Sequence, residues 1–139
     1  MPVPARFRNV HRITIRCPIS SLTLQAMLQG DEYVLEGDPS IAPILTLIKE
    51  HPAFGDFGHY TGVCEVTVGL EAFTSGHAAS PTLGTPGKRT ASFTATVTTF
   101  VSESVDEPTL YALIDDIAAA HPWEVPVIEL DATRLWISP

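Results

Sequence analysis

The residues with the most chemical potential lie in one short run, His121-Pro122-Trp123-Glu124. An imidazole titrates near neutrality, and a carboxylate three residues on can orient it for proton transfer or ligand binding. The same pair has a structural reading: His121 closes a helix C-terminus and Glu124 forms a local ion pair. Pro122 forbids the helix from continuing, so Trp123 is free to wall a pocket, line a subunit seam or cover the core.

Two further groups deserve the same weighing. His59 and Cys64 flank the start of a strand, and with His77 or His121 they offer imidazole and thiolate, the ligands of copper or zinc. None of these pairs has a diagnostic ligand spacing, so such a divalent-metal site would be assembled by the fold alone. An ordinary small buried residue is the plainer reading of Cys64. The third group is the segment 74–88, Thr-Ser-Gly-His-Ala-Ala-Ser-Pro-Thr-Leu-Gly-Thr-Pro-Gly-Lys. A glycine-rich backbone can cradle an anion, and Lys88-Arg89 can neutralise one. However, Gly84-Thr85-Pro86-Gly87-Lys88 lacks the spacing of a phosphate-binding loop, and a structural loop at a subunit interface accounts for it as well.

The elements that must position these groups follow from periodicity. Val10–Cys17 alternates apolar and polar residues and stops at Pro18, a half-buried strand. Ser20 or Ser21 caps a short helix over 22–28, and Tyr33-Val34-Leu35 reads as a short extended piece. Asp38-Pro39 is a helix start, with Ile41, Ile44, Leu45 and Ile48 along one face and an end at His51-Pro52. Residues 60–73 read as a strand, 74–88 as a loop and 89–101 as a second strand. Asp106-Glu107-Pro108 starts another helix, with Leu110, Leu113, Ile114 and Ile117 as its stripe. A last strand begins near Val125. The two halves echo each other, since each has an acid-and-proline helix start and a His-Pro stop. The order βαββαβ predicts an α+β, ferredoxin-like sandwich, an antiparallel sheet with its helices on one face.

The bulk properties narrow the partners. The chain has 139 residues, suited to one domain, and a formal net charge of −8. Nucleic-acid binding is not expected, because phosphate contacts need a basic stripe. Arg6, Arg8, Arg12 and Arg16 alternate with apolar residues, the pattern of a solvated strand face more than of an anion site. The two cysteines are too few for a disulfide framework. The N-terminus lacks a signal-peptide core, and no run approaches the roughly 18 apolar residues of a membrane span. The expected location is cytoplasmic.

Gly58-His59-Tyr60-Thr61-Gly62-Val63-Cys64, then Gly69 and Phe73, then Gly76…Ala79-Ser80-Pro81…Gly84…Gly87-Lys88, and finally Ala119-Ala120-His121-Pro122-Trp123-Glu124-Val125-Pro126 resemble the YqfO-like domain. This is the PII/CutA-like module inserted in many Nif-three family proteins and also found as a standalone chain. The last run also resembles CutA, with its His-Pro-Tyr-Glu-Val-Pro. The resemblance covers about residues 58–130. It implies one PII/CutA-like domain over 1–139, with a family-atypical insertion near 23–37.

It further implies a homo-oligomer, a trimer above all, that binds a small molecule between subunits in a pocket lined by Tyr60, His59, His77, Lys88, Trp123 and His121. CutA likeness also implies copper or zinc binding, with Cys64 and His121 as ligands. An enzyme acting on a small metabolite, with His121 and Glu124 as acid and base and Tyr60 or His59 assisting, is the rival reading. The chain departs from the pattern at Trp123 (usually Tyr), Val125 (Glu), Glu129 (Asp) and Glu71 (Gly). The dinuclear-metal residues of full-length Nif-three proteins lie outside the inserted module, and nothing here matches them.

Overall fold

The computed structural model describes residues 6–77 and 84–137. Its elements are β1 (Phe7–Pro18), α1 (Ser21–Leu28), α2 (Val34–Gly37), α3 (Ala42–Glu50), β2 (Cys64–Thr74), β3 (Arg89–Ser102), α4 (Glu107–Ala120) and β4 (Ile128–Trp136). The strands form one antiparallel sheet in the order β2-β3-β1-β4. Each half therefore crosses over one intervening strand, as in a ferredoxin-like α+β fold.

Strand alternation sorts the two faces. Ile13, Ile15 and Cys17 of β1 and Ala95, Val97 and Val101 of β3 point to one side and are buried. There they meet Ile44 and Ile48 of α3, Leu110, Leu113 and Ile117 of α4, and Phe54. Each Val, Leu, Ile and Phe side chain among them contributes about 1.5–3 kcal/mol through removal from water, so this layer holds the helices on the sheet. The opposite face carries Arg12, Thr14 and Arg16 of β1, Thr94, Thr96 and Thr98 of β3, and Glu129 and Asp131 of β4. Arg12 pairs with Asp131 at 3.3 Å and Arg16 pairs with Glu129. All four charged groups are about half exposed, so these bridges set register more than they add stability.

α4 begins as the sequence predicts. Asp106 is the N-cap, its Oδ1 accepts the Thr109 N–H at 2.8 Å, and Pro108 sits in the first turn. The first half departs from that pattern. The cap of α3 is Ile41, with no side-chain cap bond, and the first-turn proline is Pro43. Asp38 instead lies buried and ties down the chain that precedes the helix. Its carboxylate accepts from the Thr23 hydroxyl at 2.7 Å and from the Ser40 and Ser20 N–H groups at 2.9 and 3.2 Å. Burial alone would raise the Asp38 pKa, but the hydrogen bonds from Thr23, Ser40, Ser20 and Ile41 outweigh it and hold the carboxyl below its usual range.

Three boundaries also move. Tyr33-Val34-Leu35 is not extended: Val34–Gly37 makes one helical turn, α2. β2 begins at Cys64 rather than Tyr60, because Gly55 and Gly62 fold residues 54–63 into a closed loop. Gly55 has φ +56, and a Cβ there would stand 2.2 Å from the Val63 nitrogen, so no larger residue fits. β4 begins at Ile128 rather than Val125.

Candidate functional site

β1 covers β3 only from Thr94 to Ser102, while β2 and β3 stay paired out to Thr74 and Arg89. The remainder is a two-stranded ribbon that projects past the sheet. A pocket of about 350 Å³ opens where the ribbon leaves, lined by Arg16, Gly69, Leu70, Glu71, Thr94, Thr96, Trp123 and Val127. The register puts Arg16, Thr94, Thr96, Gly69 and Glu71 on the same face of the sheet, the one away from the helices. The turn after α4 adds Trp123 and Val127. That volume lies in the range of small-molecule sites.

His121 does not line this pocket but backs Trp123, which does. It is buried and is the C-cap of α4. Its Nδ1 accepts the Trp123 N–H at 3.0 Å, so Nε2 carries the proton and donates to the Arg16 carbonyl oxygen. The two rings pack at 5.2 Å between centroids. His121 thus joins α4 to β1 and fixes Trp123 at the pocket. Both ring nitrogens are occupied, and acid–base work would require one of these bonds to open. Glu124 is exposed, and the ion pairs among the described residues do not include it.

The other residues singled out in the sequence are spread along the sheet. Tyr60 and His59 are exposed on the 54–63 loop, whose Phe57 packs on Phe100 with ring centroids 6.0 Å apart. Phe100 is four residues along β3 from Thr96, which puts this loop roughly 13 Å along the strand from the pocket. His77 and Lys88 are exposed at the far tip of the ribbon, where Ser75 bridges to Pro86 and a Cβ on Gly87 would meet the His77 ring. Residues 78–83 of the expected ligand loop lie outside the described residues. Within one chain, then, Trp123 and His121 stand together, while Tyr60 and His59 lie toward one end of the sheet and His77 and Lys88 toward the other.

Cys64 starts β2 opposite Thr99, on the helix-side face. Burial pushes its thiol pKa up, which disfavours the thiolate a soft metal requires. Burial, and then the charge of Asp38, push Cys17 up to about 12, and its Sγ–H donates to the Ser40 carbonyl oxygen at 3.2 Å. Among the described residues, no group of three or more His, Cys, Asp or Glu side chains is placed to hold a metal ion.

Sequence reasoning did not pick out Arg16, Glu71, Thr94 and Thr96 as pocket residues. Period-two alternation marks these positions as one strand face but cannot show that the face is concave there. Glu71 did carry a signal, since it stands where the resembled family has glycine.

No protein-family model and no curated protein matches the chain. Among solved structures, it resembles a Bacillus cereus protein related to NIF3, with 11% identical residues and a TM-score of 0.58. The match covers 94% of this chain and 27% of that one, so the chain spans about a quarter of its neighbour's length. At that identity the likeness establishes a shared fold. No helix among the described residues is long and apolar enough to cross a membrane.

Proposed function

We propose that this chain is a small homo-oligomeric ligand-binding or regulatory module of the PII/CutA-like type, which holds a small molecule beside Trp123. The observation that carries this reading is the pocket of about 350 Å³ in which an aromatic wall meets the side chains of Arg16, Glu71, Thr94 and Thr96. A few polar groups converging on a concave surface suit ligand recognition. Binding is favoured over catalysis because the best acid–base candidate, His121, is committed through both nitrogens.

Assembly is favoured by what a single chain leaves open. β2 and β4 are both edge strands, and unpaired edges invite pairing unless they are covered. Val68, Leu70, Phe93, Val125 and Val127 add exposed apolar surface near the base of the ribbon and the turn after α4. A closed ring of copies, three above all, would cover these surfaces and could bring the Tyr60 loop or the ribbon tip of one subunit to the pocket of the next.

Binding of a mixed panel of small metabolites by wild-type protein and by Trp123→Ala tests the reading. Retention by the wild type and loss in the variant, with assembly unchanged, is the expected result. Equal retention by both proteins would place the ligand elsewhere and end the proposal.

A further inference from the structure

The helices cover only part of the sheet. On their side, the fully buried strand residues come from β1 and β3, and from β4 only Ile128 packs against that core among the described residues. Farther along β4 the same row runs through Leu130 and Arg134 to Trp136, opposite Ile13, Asn9 and Phe7 of β1. Ile13 faces the helices, and alternation puts the rest of the row on that side as well. Yet Leu130, Phe7 and Trp136 are 39%, 58% and 56% exposed.

At the end of this row two exposed arginines lie over the two exposed rings. The Arg134 guanidinium is 5.4 Å from the centre of the Phe7 ring, and that of Arg6 is 5.7 Å from the centre of the Trp136 ring. A cation over a ring face is held without a carboxylate, and a guanidinium keeps its N–H donors for another partner. The ion pairs among the described residues use Arg12 and Arg16 instead. The chain carries a net charge of −8, so this corner is a positive, aromatic spot on an acidic molecule. Phe7 stands at the opposite end of β1 from Arg16, roughly 30 Å along the strand from the pocket. The corner is therefore separate from the pocket, and what binds there does not depend on the pocket's ligand.

We propose that this corner docks a short acidic segment of another protein, one in which carboxylates flank an apolar side chain. The apolar side chain lies against the Trp136 and Phe7 rings, and the carboxylates take the donors of Arg6 and Arg134. Tryptophan and arginine are the residue types that most often dominate a protein interface. The charge of the rest of the chain decides what can dock. It repels a long polyanion such as a nucleic acid, and two guanidiniums neutralise too few phosphates to offset that. A short acidic segment needs only the local pair.

The test uses the full chain labelled with nitrogen-15, the indole N–H resonance of Trp136 being assigned with Trp123→Phe. A hexapeptide of alternating glutamate and leucine is titrated in, and separately its lysine–leucine counterpart and a hexamer of deoxythymidylate. The net charge of the chain favours the lysine peptide, so a preference for glutamate reports the local site. The expected result is a shift of Trp136 with the glutamate peptide, bound at least about tenfold tighter than the lysine peptide and more weakly as salt rises. Arg134→Glu and Arg6→Glu, both at exposed positions, should each lower that affinity about tenfold and leave the number of copies in the assembly unchanged. No shift of Trp136 with the glutamate peptide, equal binding of the lysine peptide, or unchanged affinity in both variants would overturn the proposal. Tighter binding of the thymidylate would overturn it in favour of nucleic acid. Loss of assembly in Arg134→Glu would overturn it in favour of a second copy of this chain.

Discussion

The two halves of the chain repeat a sequence device and use it in opposite ways. In the first half Asp38 is buried and His51 is exposed. In the second, Asp106 stands at an exposed N-cap and His121 is buried. Both histidines are helix C-caps, and each Nδ1 accepts the N–H two residues on, from Ala53 at 3.1 Å and from Trp123 at 3.0 Å. The His-Pro form is therefore a way of stopping a helix. What distinguishes the second junction is the remaining nitrogen, which reaches β1, and the tryptophan it holds. The comparison separates architecture from site, and mutation can sharpen it.

The largest effect is expected at Asp38. Asp38→Ala orphans the donors from Thr23, Ser20 and Ser40 and should cost about 3 kcal/mol in urea unfolding at neutral pH. The sign with pH follows from its lowered pKa. The stabilisation is complete above the unfolded value near 4 and is lost as pH falls through the lower folded value. The gap between wild type and variant should therefore narrow in acid. A gap independent of pH would show that the carboxylate's charge is irrelevant.

His121→Ala comes next, at about 2 kcal/mol, because the Arg16 carbonyl and the Trp123 N–H both lose their partner. Ligand affinity should fall with it, as the wall formed by Trp123 loosens. His121→Gln should recover part of the stability. A variant that unfolds as wild type does would mean that the junction is not fastened through His121.

Asp106→Ala removes one N-cap bond at an exposed helix start. Its loss should be smaller than that at either buried group. His51→Ala should be smallest, within about 0.5 kcal/mol, as for most exposed positions. If His51→Ala matched His121→Ala, the two junctions would be equivalent and the comparison would fail.

The order of strands and helices can be read from the sequence because β1, β3 and α4 have strong local periodicity, and α4 has a cap that works locally. The start of α3 could not be read this way. Asp38-Pro39 has the composition of a cap, but tertiary contacts to Ser20 and Thr23 claim its carboxylate. Trp123 stood out in the sequence as an aromatic residue just beyond a proline-stopped helix, although the sequence left open whether it would wall a pocket, line a seam or cover the core. Arg16, Glu71 and Thr94 were hidden, since their meeting depends on how far β2 and β3 run past β1. That is a property of strand pairing, not of any short stretch of chain.

Native mass spectrometry of the purified chain at micromolar concentration, read for both assembly and bound small molecule, tests the central claim most directly. The account predicts a homo-oligomer, three copies above all, that carries a small ligand lost in Trp123→Ala. A monomer without ligand, or a ligand unaffected by that change, would contradict it.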